Sequence, residues 1–203
     1  MTGLCVAVAS VAVLAPAVSA APRHGGSSTA TIADVLLSDS SKDDANGFDR
    51  RWFDYDIATQ AVLLFPDLVA AASDPSASLT VFLPNDYAFR ALVHDLTGQQ
   101  LRTEKEVFDA VAGLGLDTVK AVLTYHIIGA KIDPLTLLRS DGAQETTLNG
   151  ATLTVDIVGR FFAKLVDNDP NDRDPYVVQY SVGGRLANGY VHGISQVLRP
   201  IDL

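Results

Sequence analysis

The stretch Thr80–Leu92, TVFLPNDYAFRAL, leaves this chain little conformational choice. Leu79 extends it, and Thr80, Val81, Phe82 and Leu83 are β-branched, aromatic or aliphatic. Such a short apolar run favours a strand covered on both faces. Pro84 ends the strand, because proline has no N–H for a ladder. Asn85 and Asp86 then offer side-chain oxygens to the free N–H groups of a helix start, a cap contributing about 1 kcal/mol. Ala88, Phe89, Leu92, Val93 and Leu96 recur at helical spacing, so the segment predicts a buried strand, a polar cap and a helix.

The surrounding 203 residues suffice for one core, and 48% of them are hydrophobic. The formal net charge of −9 argues against nucleic acid and against an anionic membrane surface, since phosphate binding needs clustered Lys and Arg. Residues 1–22 carry no acidic or basic side chain before Arg23, and Pro16 interrupts them. Val18-Ser19-Ala20-Ala21 places small residues where a signal peptidase cuts, so 1–21 reads as a secretory signal peptide, although no Lys or Arg precedes its apolar region. The alternative, an uncleaved anchor, fits less well with a small-residue-rich, proline-broken run. The only cysteine is Cys5, so the mature chain is expected to hold no disulfide and to depend on core packing.

Residues 22–30 (PRHGGSSTA from Pro22) read as a flexible linker, and 31–203 as a single domain. Thr31 is expected to cap a short helix over Ile32–Leu37. From Asp34 through Asp56 there are seven acids against Lys42, Arg50 and Arg51, the mark of an exposed loop. Phe48, Trp52, Phe53 and Tyr55 are expected to pin its far end to the core. Helices follow over Ile57–Leu64 and Leu68–Ala72, with Pro66 suited to a first turn. Gly98 should stop the helix that Asn85-Asp86 opens. Thr103 and Glu106 form a capping-box pair ahead of Val107–Val111, and Asp117 is expected to cap Thr118–Tyr125. The period then changes. Short strands are predicted at His126–Ile128, Glu145–Leu148, Ala151–Ile157, Phe161–Val166, Tyr176–Gln179 and Tyr190–Leu198. Asn149-Gly150 makes a hairpin between the second and third, and one helical turn covers Leu135–Leu138. Gly183-Gly184 and Asn188-Gly189 read as turns. Helices early and strands late give the class α+β.

Three blocks then line up in order. Thr80–Leu92 resembles the "TVFAPTDAAF" block of fasciclin-type domains. Leu123-Thr124-Tyr125-His126-Ile127-Ile128 resembles their Tyr-His block. Asn188-Gly189-Tyr190-Val191-His192-Gly193-Ile194, followed by Val197-Leu198, resembles the closing "NGVIHVID..L" block, and the hairpin Thr147–Val155 also fits. The likeness covers about residues 30–203. It implies a wedge-shaped, β-sandwich-like sheet with helices packed around it, in a secreted or cell-surface module that binds an extracellular protein or glycan without catalysis. Two departures stand out: a long acidic insert over 38–56, and an Asp- and Asn-rich loop from Asp167 to Pro175.

The resemblance marks Tyr125 and His126 as partner-binding candidates, because this neighbourhood is implicated in receptor binding in animal members. Asn85 and Asp86 are further candidates. The residues themselves favour a quieter role, with Tyr125 and His126 satisfying backbone groups at a helix-to-strand corner and Asn85 or Asp86 capping a helix. His192, Asn188 and Gly189 read as structural parts of the closing block. Asp167, Asp169, Asn171, Asp172 and Asp174 form a possible calcium loop, since calcium takes several hard oxygens from one flexible segment. Asp167-x-Asp169-x-Asn171 copies the start of an EF-hand loop, but Asp172 replaces its glycine and Val178 its closing Glu. Asp39, Asp43, Asp44 and Asp49 are a weaker set. These loops support the alternative of a calcium-responsive structural protein. Calcium aside, no cofactor is expected, and H-E-x-x-H, Cys-pair, P-loop, G-x-G-x-x-G and G-x-S-x-G motifs are all lacking.

Overall fold

A computed structural model describes residues 29–40 and 47–201. Within them the order is α1 (Ile32–Ser40), α2 (Asp56–Leu63), α3 (Pro66–Ser73), β1 (Leu79–Pro84), α4 (Asp86–Thr97), α5 (Glu104–Ala112) and α6 (Leu116–Tyr125). Then come β2 (Ile127–Ile128), α7 (Pro134–Leu137), β3 (Gln144–Thr146), β4 (Thr152–Val158), β5 (Phe162–Val166), β6 (Val177–Gln179) and β7 (Gly189–Ile194). One sheet runs β2-β1-β7-β6 and the other β3-β4-β5.

β1 is the hinge of the architecture. Every one of its residues is buried. Successive side chains on a strand point to opposite faces. Leu79, Val81 and Leu83 accordingly enter a core shared with α1 to α6. Phe82 points the other way, into a second core with Tyr125, Leu153, Val155, Ala163, Leu165 and Ile194. That second core lies between the two sheets. A strand between two cores needs no polar alternation, which explains its continuous apolar run. β1 pairs in parallel with β7 over six residues and antiparallel with β2. The expected α+β class, with helices packed around the sheets, is thus present.

The local signals hold where their partners are near in sequence. Asn85 Oδ1 accepts from Ala88 N–H at 3.0 Å, Thr103 and Glu106 form the expected capping box, and Gly98 ends α4 in the left-handed region. Leu153 and Val155 of β4 are the buried side of its alternation.

Several expectations need correction. α1 runs on to Ser40, and α5 starts at Glu104. Asp117 does not cap α6; Gly115 precedes the helix, and Asp117 sits in its first turn, where a carboxylate still suits the helix dipole. His126 ends α6 instead of opening β2. Asp133 caps α7, accepting from Leu135 and Thr136 N–H. The last strand stops at Ile194, and β3 covers 144–146. Phe53 does not pin the acidic insert: it is 78% exposed, whereas Phe48 packs on Phe108 with ring centroids 5.7 Å apart.

Asn188-Gly189 is not an exposed turn. Asn188 is fully buried, its Oδ1 accepting from Ile32 N–H at 3.0 Å while its Nδ2 donates to Ala72 O at 2.7 Å. One amide thus ties the start of α1 to the end of α3. Gly189 opens β7 so close to β1 that a Cβ would stand 1.7 Å from Leu79 O. The expected signal peptide and the acids Asp43 and Asp44 lie outside the described residues, as does most of the expected linker. Among the described residues, no single helix is long and apolar enough to cross a membrane.

Candidate functional site

The side chains first expected to touch a partner are all internal. Tyr125 is fully buried, and its hydroxyl donates to Thr152 O at 2.8 Å. His126 is 3% exposed. Leu198 N–H donates to its Nε2 at 2.9 Å, so the ring proton sits on Nδ1 and is donated to Val122 O at 2.7 Å. This ring ties the end of α6 to the segment after β7. His192 does the same elsewhere: Ser181 N–H donates to its Nδ1 at 3.3 Å, and its Nε2 faces Ile132 O at 2.9 Å. Both ring nitrogens of each histidine are engaged by main-chain groups. A Ser-His-Asp arrangement built on either has no free base.

Burial holds His126 well below the usual imidazole range, at about 4. Its folded value lies below its unfolded one, so the unfolded chain binds more protons between the two. Stability from His126 is therefore complete above about pH 6.5 and is lost as pH falls towards 4. His126→Gln, which cannot titrate, is expected to melt roughly 4–8 °C lower at pH 7, for a loss of about 2 kcal/mol. It should also show a shallower fall in melting temperature than the parent between pH 6.5 and pH 4.5. Parallel slopes for the two proteins in thermal melts would refute this role.

Asn85 and Asp86 divide the work at the start of α4. Asn85 caps, while Asp86, fully buried, turns back and accepts from Ile57 N–H at 2.9 Å, fixing the first turn of α2. Glu104, at the start of α5, accepts from Asp49 N–H and Arg50 N–H, each at 2.9 Å. Two helix starts thus grip the segment that leads into α2. Burial pushes Asp86 up to about 10, against the Ile57 N–H and with help from the carboxylates of Asp54 and Asp56. The sequence signal for this arrangement was present but unread: an acid at the first position of three separate helices, Asp56, Asp86 and Glu104.

The loop 167–174 organises around a residue that sequence reasoning missed. The Arg199 side chain is 8% exposed, with Nη1 3.1 Å from Asp169, Nε 3.0 Å from Asp172 and Nη2 2.7 Å from Asp95. Its own N–H donates to Asp167 Oδ2 at 2.7 Å. Asp167 also accepts from Asp169 N–H, Asp169 accepts from Asn171 N–H, and Asp174 lies 3.5 Å from Lys164 Nζ. The four aspartates therefore face this chain's own cationic and N–H donors. A guanidinium provides positive charge in the loop proposed for calcium. Burial, reinforced by Asp167, raises Asp172 to about 7 despite Arg199.

Arg199 also lines the floor of an open groove of ≈ 630 Å³. Tyr87, Arg90 and His94 line the α4 wall, at the i, i+3, i+7 spacing that puts side chains on one face. Asp172 and Arg173 line the opposite side. Tyr87 stacks on Phe53, centroids 6.0 Å apart at 18°, and both rings face solvent at 49% and 78% exposure. Arg90 lies 4.8 Å over the ring of Trp52. The groove thus presents planar donors beside an exposed aromatic pair. The exposed polar face of α4 hinted at it, but the pairing of Phe53 with Tyr87 spans 34 positions and has no local signal.

The family model described as the Fasciclin domain matches residues 58–200. The chain belongs to the fasciclin domain family. Fasciclin domains are generally found in extracellular and cell-surface adhesion proteins, and they are typically non-catalytic. A solved structure reported as "Novel Fold Revealed by the Structure of a FAS1 Domain Pair from the Insect Cell Adhesion Molecule Fasciclin I" is similar in fold, with TM-score 0.58 and 16% identity. The alignment covers 85% of this chain and 51% of that one, so the present fasciclin domain spans about half the length of the domain pair. Among curated proteins, none shows significant sequence similarity to the chain.

Proposed function

We propose that this fasciclin domain is exported behind residues 1–21 and acts at the cell surface or in an extracellular matrix as a binding module for a protein or glycan. No catalysis, nucleic acid or membrane-spanning segment after leader removal enters this reading. The observation that carries it is the solvent-facing Phe53–Tyr87 stack beside the groove. Exposed aromatic pairs flanked by arginine are what binding surfaces concentrate, because they bring large contact area at little entropy cost. The groove supplies Arg90 and His94 as directional donors around that platform. Tyr125 and His126 act in the interior, tying the end of α6 to β4 and to the segment after β7.

The test is adhesion of cells, and binding to glycan and matrix-protein arrays, by the immobilised protein and its Phe53→Ala/Tyr87→Ala double variant. Both side chains are exposed, so melting should change little. Retention by the double variant should fall at least tenfold. Unchanged retention would move the binding surface elsewhere.

A further inference from the structure

We propose that Asp54, Asp86 and Glu104 form a buried site for a calcium ion, at the point where the segment entering α2 meets the starts of α4 and α5. A carboxylate oxygen from each of the three lies within 4.8 Å of the others, and Asp49 and Asp56 form an adjoining group with Asp54 at the same spacing. Asp86 is fully buried and Glu104 is 2% exposed. One oxygen of each is explained: Asp86 Oδ1 takes Ile57 N–H, and Glu104 Oε2 takes the Asp49 and Arg50 N–H groups. The other is not. Among the described residues, neither Asp86 Oδ2 nor Glu104 Oε1 meets a donor.

Buried acceptors without donors are uncommon in folded proteins and point to a water or ion. A hard cation would give both oxygens a partner and compensate three adjoining carboxyl groups, which a neutral water would not. The donor set is oxygen only, without imidazole or thiolate, which selects a hard cation. Five carboxylates around adjoining positions suit the high, flexible oxygen coordination of calcium better than the smaller, more hydrated magnesium. A way in exists: a shallow depression of ≈ 640 Å³ lined by residues 50–54 reaches Asp54. This site is separate from the loop 167–174, where Arg199 supplies the charge, and it does not depend on the groove.

The probes are calcium itself and terbium, its luminescent stand-in. Trp52 is the only tryptophan and lies two positions from Asp54, so its excitation should sensitise terbium emission. Calcium should quench that emission by displacement. After treatment with chelator, calcium at about a hundred times its Kd should raise the melting temperature by roughly 5–10 °C. Asp86→Asn and Glu104→Gln each remove a ligand charge and should weaken calcium at least tenfold. Asp169→Asn/Asp172→Asn should leave its affinity unchanged. The absence of both sensitised emission and a calcium shift in the unaltered chain overturns the site. Calcium binding lost in Asp169→Asn/Asp172→Asn but kept in Asp86→Asn overturns it equally. If a variant fails to fold, the terbium signal of the unaltered chain and its loss in Trp52→Phe, with calcium binding kept, still decide the question.

Discussion

Gly189→Ala is expected to abolish the folded state. The two central strands run side by side at this residue, and the new Cβ would fall 1.7 Å from Leu79 O and 2.7 Å from its carbonyl carbon. Neither obstacle is a side chain that can swing away. Both belong to the main chain of β1, whose next residues carry the pairing with β7. Relief requires prising the parallel pair apart at its first register position, which disturbs both cores at once. The expected loss exceeds about 4 kcal/mol, the exceptional end of single substitutions. Gly98→Ala is the control. Gly98 has φ 69 with nothing within 4 Å of a built Cβ, so that variant meets backbone strain alone, about 1–2 kcal/mol. Far-ultraviolet circular dichroism and urea unfolding separate the cases. A cooperative, near-parental transition for Gly189→Ala would show that the strands can part without cost.

The second large effect concerns charge. Arg199→Met keeps much of the side-chain length and removes the guanidinium. Asp169 and Asp172, with side chains 1% and 7% exposed, would then face each other without their shared counter-ion. Breaking a buried pair by deleting one partner typically costs about 3–5 kcal/mol, because the remaining charge cannot return to water. In a chain of this size that corresponds to a fall in melting temperature of roughly 6–20 °C. The pH dependence identifies the cause. A carboxylate whose folded value is raised favours the protonated folded state, so its contribution is lost as pH rises and recovered as pH falls. Asp172 already stands near 7 with Arg199 beside it, and removal of the arginine moves it further up. The deficit of Arg199→Met should therefore shrink on going from pH 8 to pH 5. Equal melting of the two proteins at pH 8 would contradict a structural role for this ion-pair network.

These two positions also mark the limit of what could be read from the linear chain. Caps were legible because a cap and the N–H that donates to it lie three residues apart: Asn85 with Ala88, Thr103 with Glu106. The double burial of β1 was legible because its apolar run lacks alternation. The family blocks were legible through their order. Asn188-Gly189 misled because the same dipeptide serves an exposed turn or a tight approach, and only the position of Leu79 distinguishes them. Asp117 misled because its residue type suits both a cap and a first turn, whereas Gly115 turns the chain before it. Arg199 gave no local sign at all. It meets Asp95, Asp169 and Asp172 across separations of 104, 30 and 27 positions, so its role exists only once the sheet is closed. The same holds for Phe53, whose apolar character predicted burial and whose actual neighbour is the exposed ring of Tyr87.

The parallel pairing of β1 with β7 has a consequence for the timing of synthesis. The partners in its register, from Leu79 with Gly189 to Pro84 with Ile194, are 110 residues apart. Segments α1 to α6 can collapse on local contacts as they leave the ribosome, but the strand they cover remains open on one edge until nearly the whole chain has been made. Long-range pairing of this kind is slow to form. A chain whose central ladder closes last stays unlocked for most of its translation, and export as proposed above would draw on that interval.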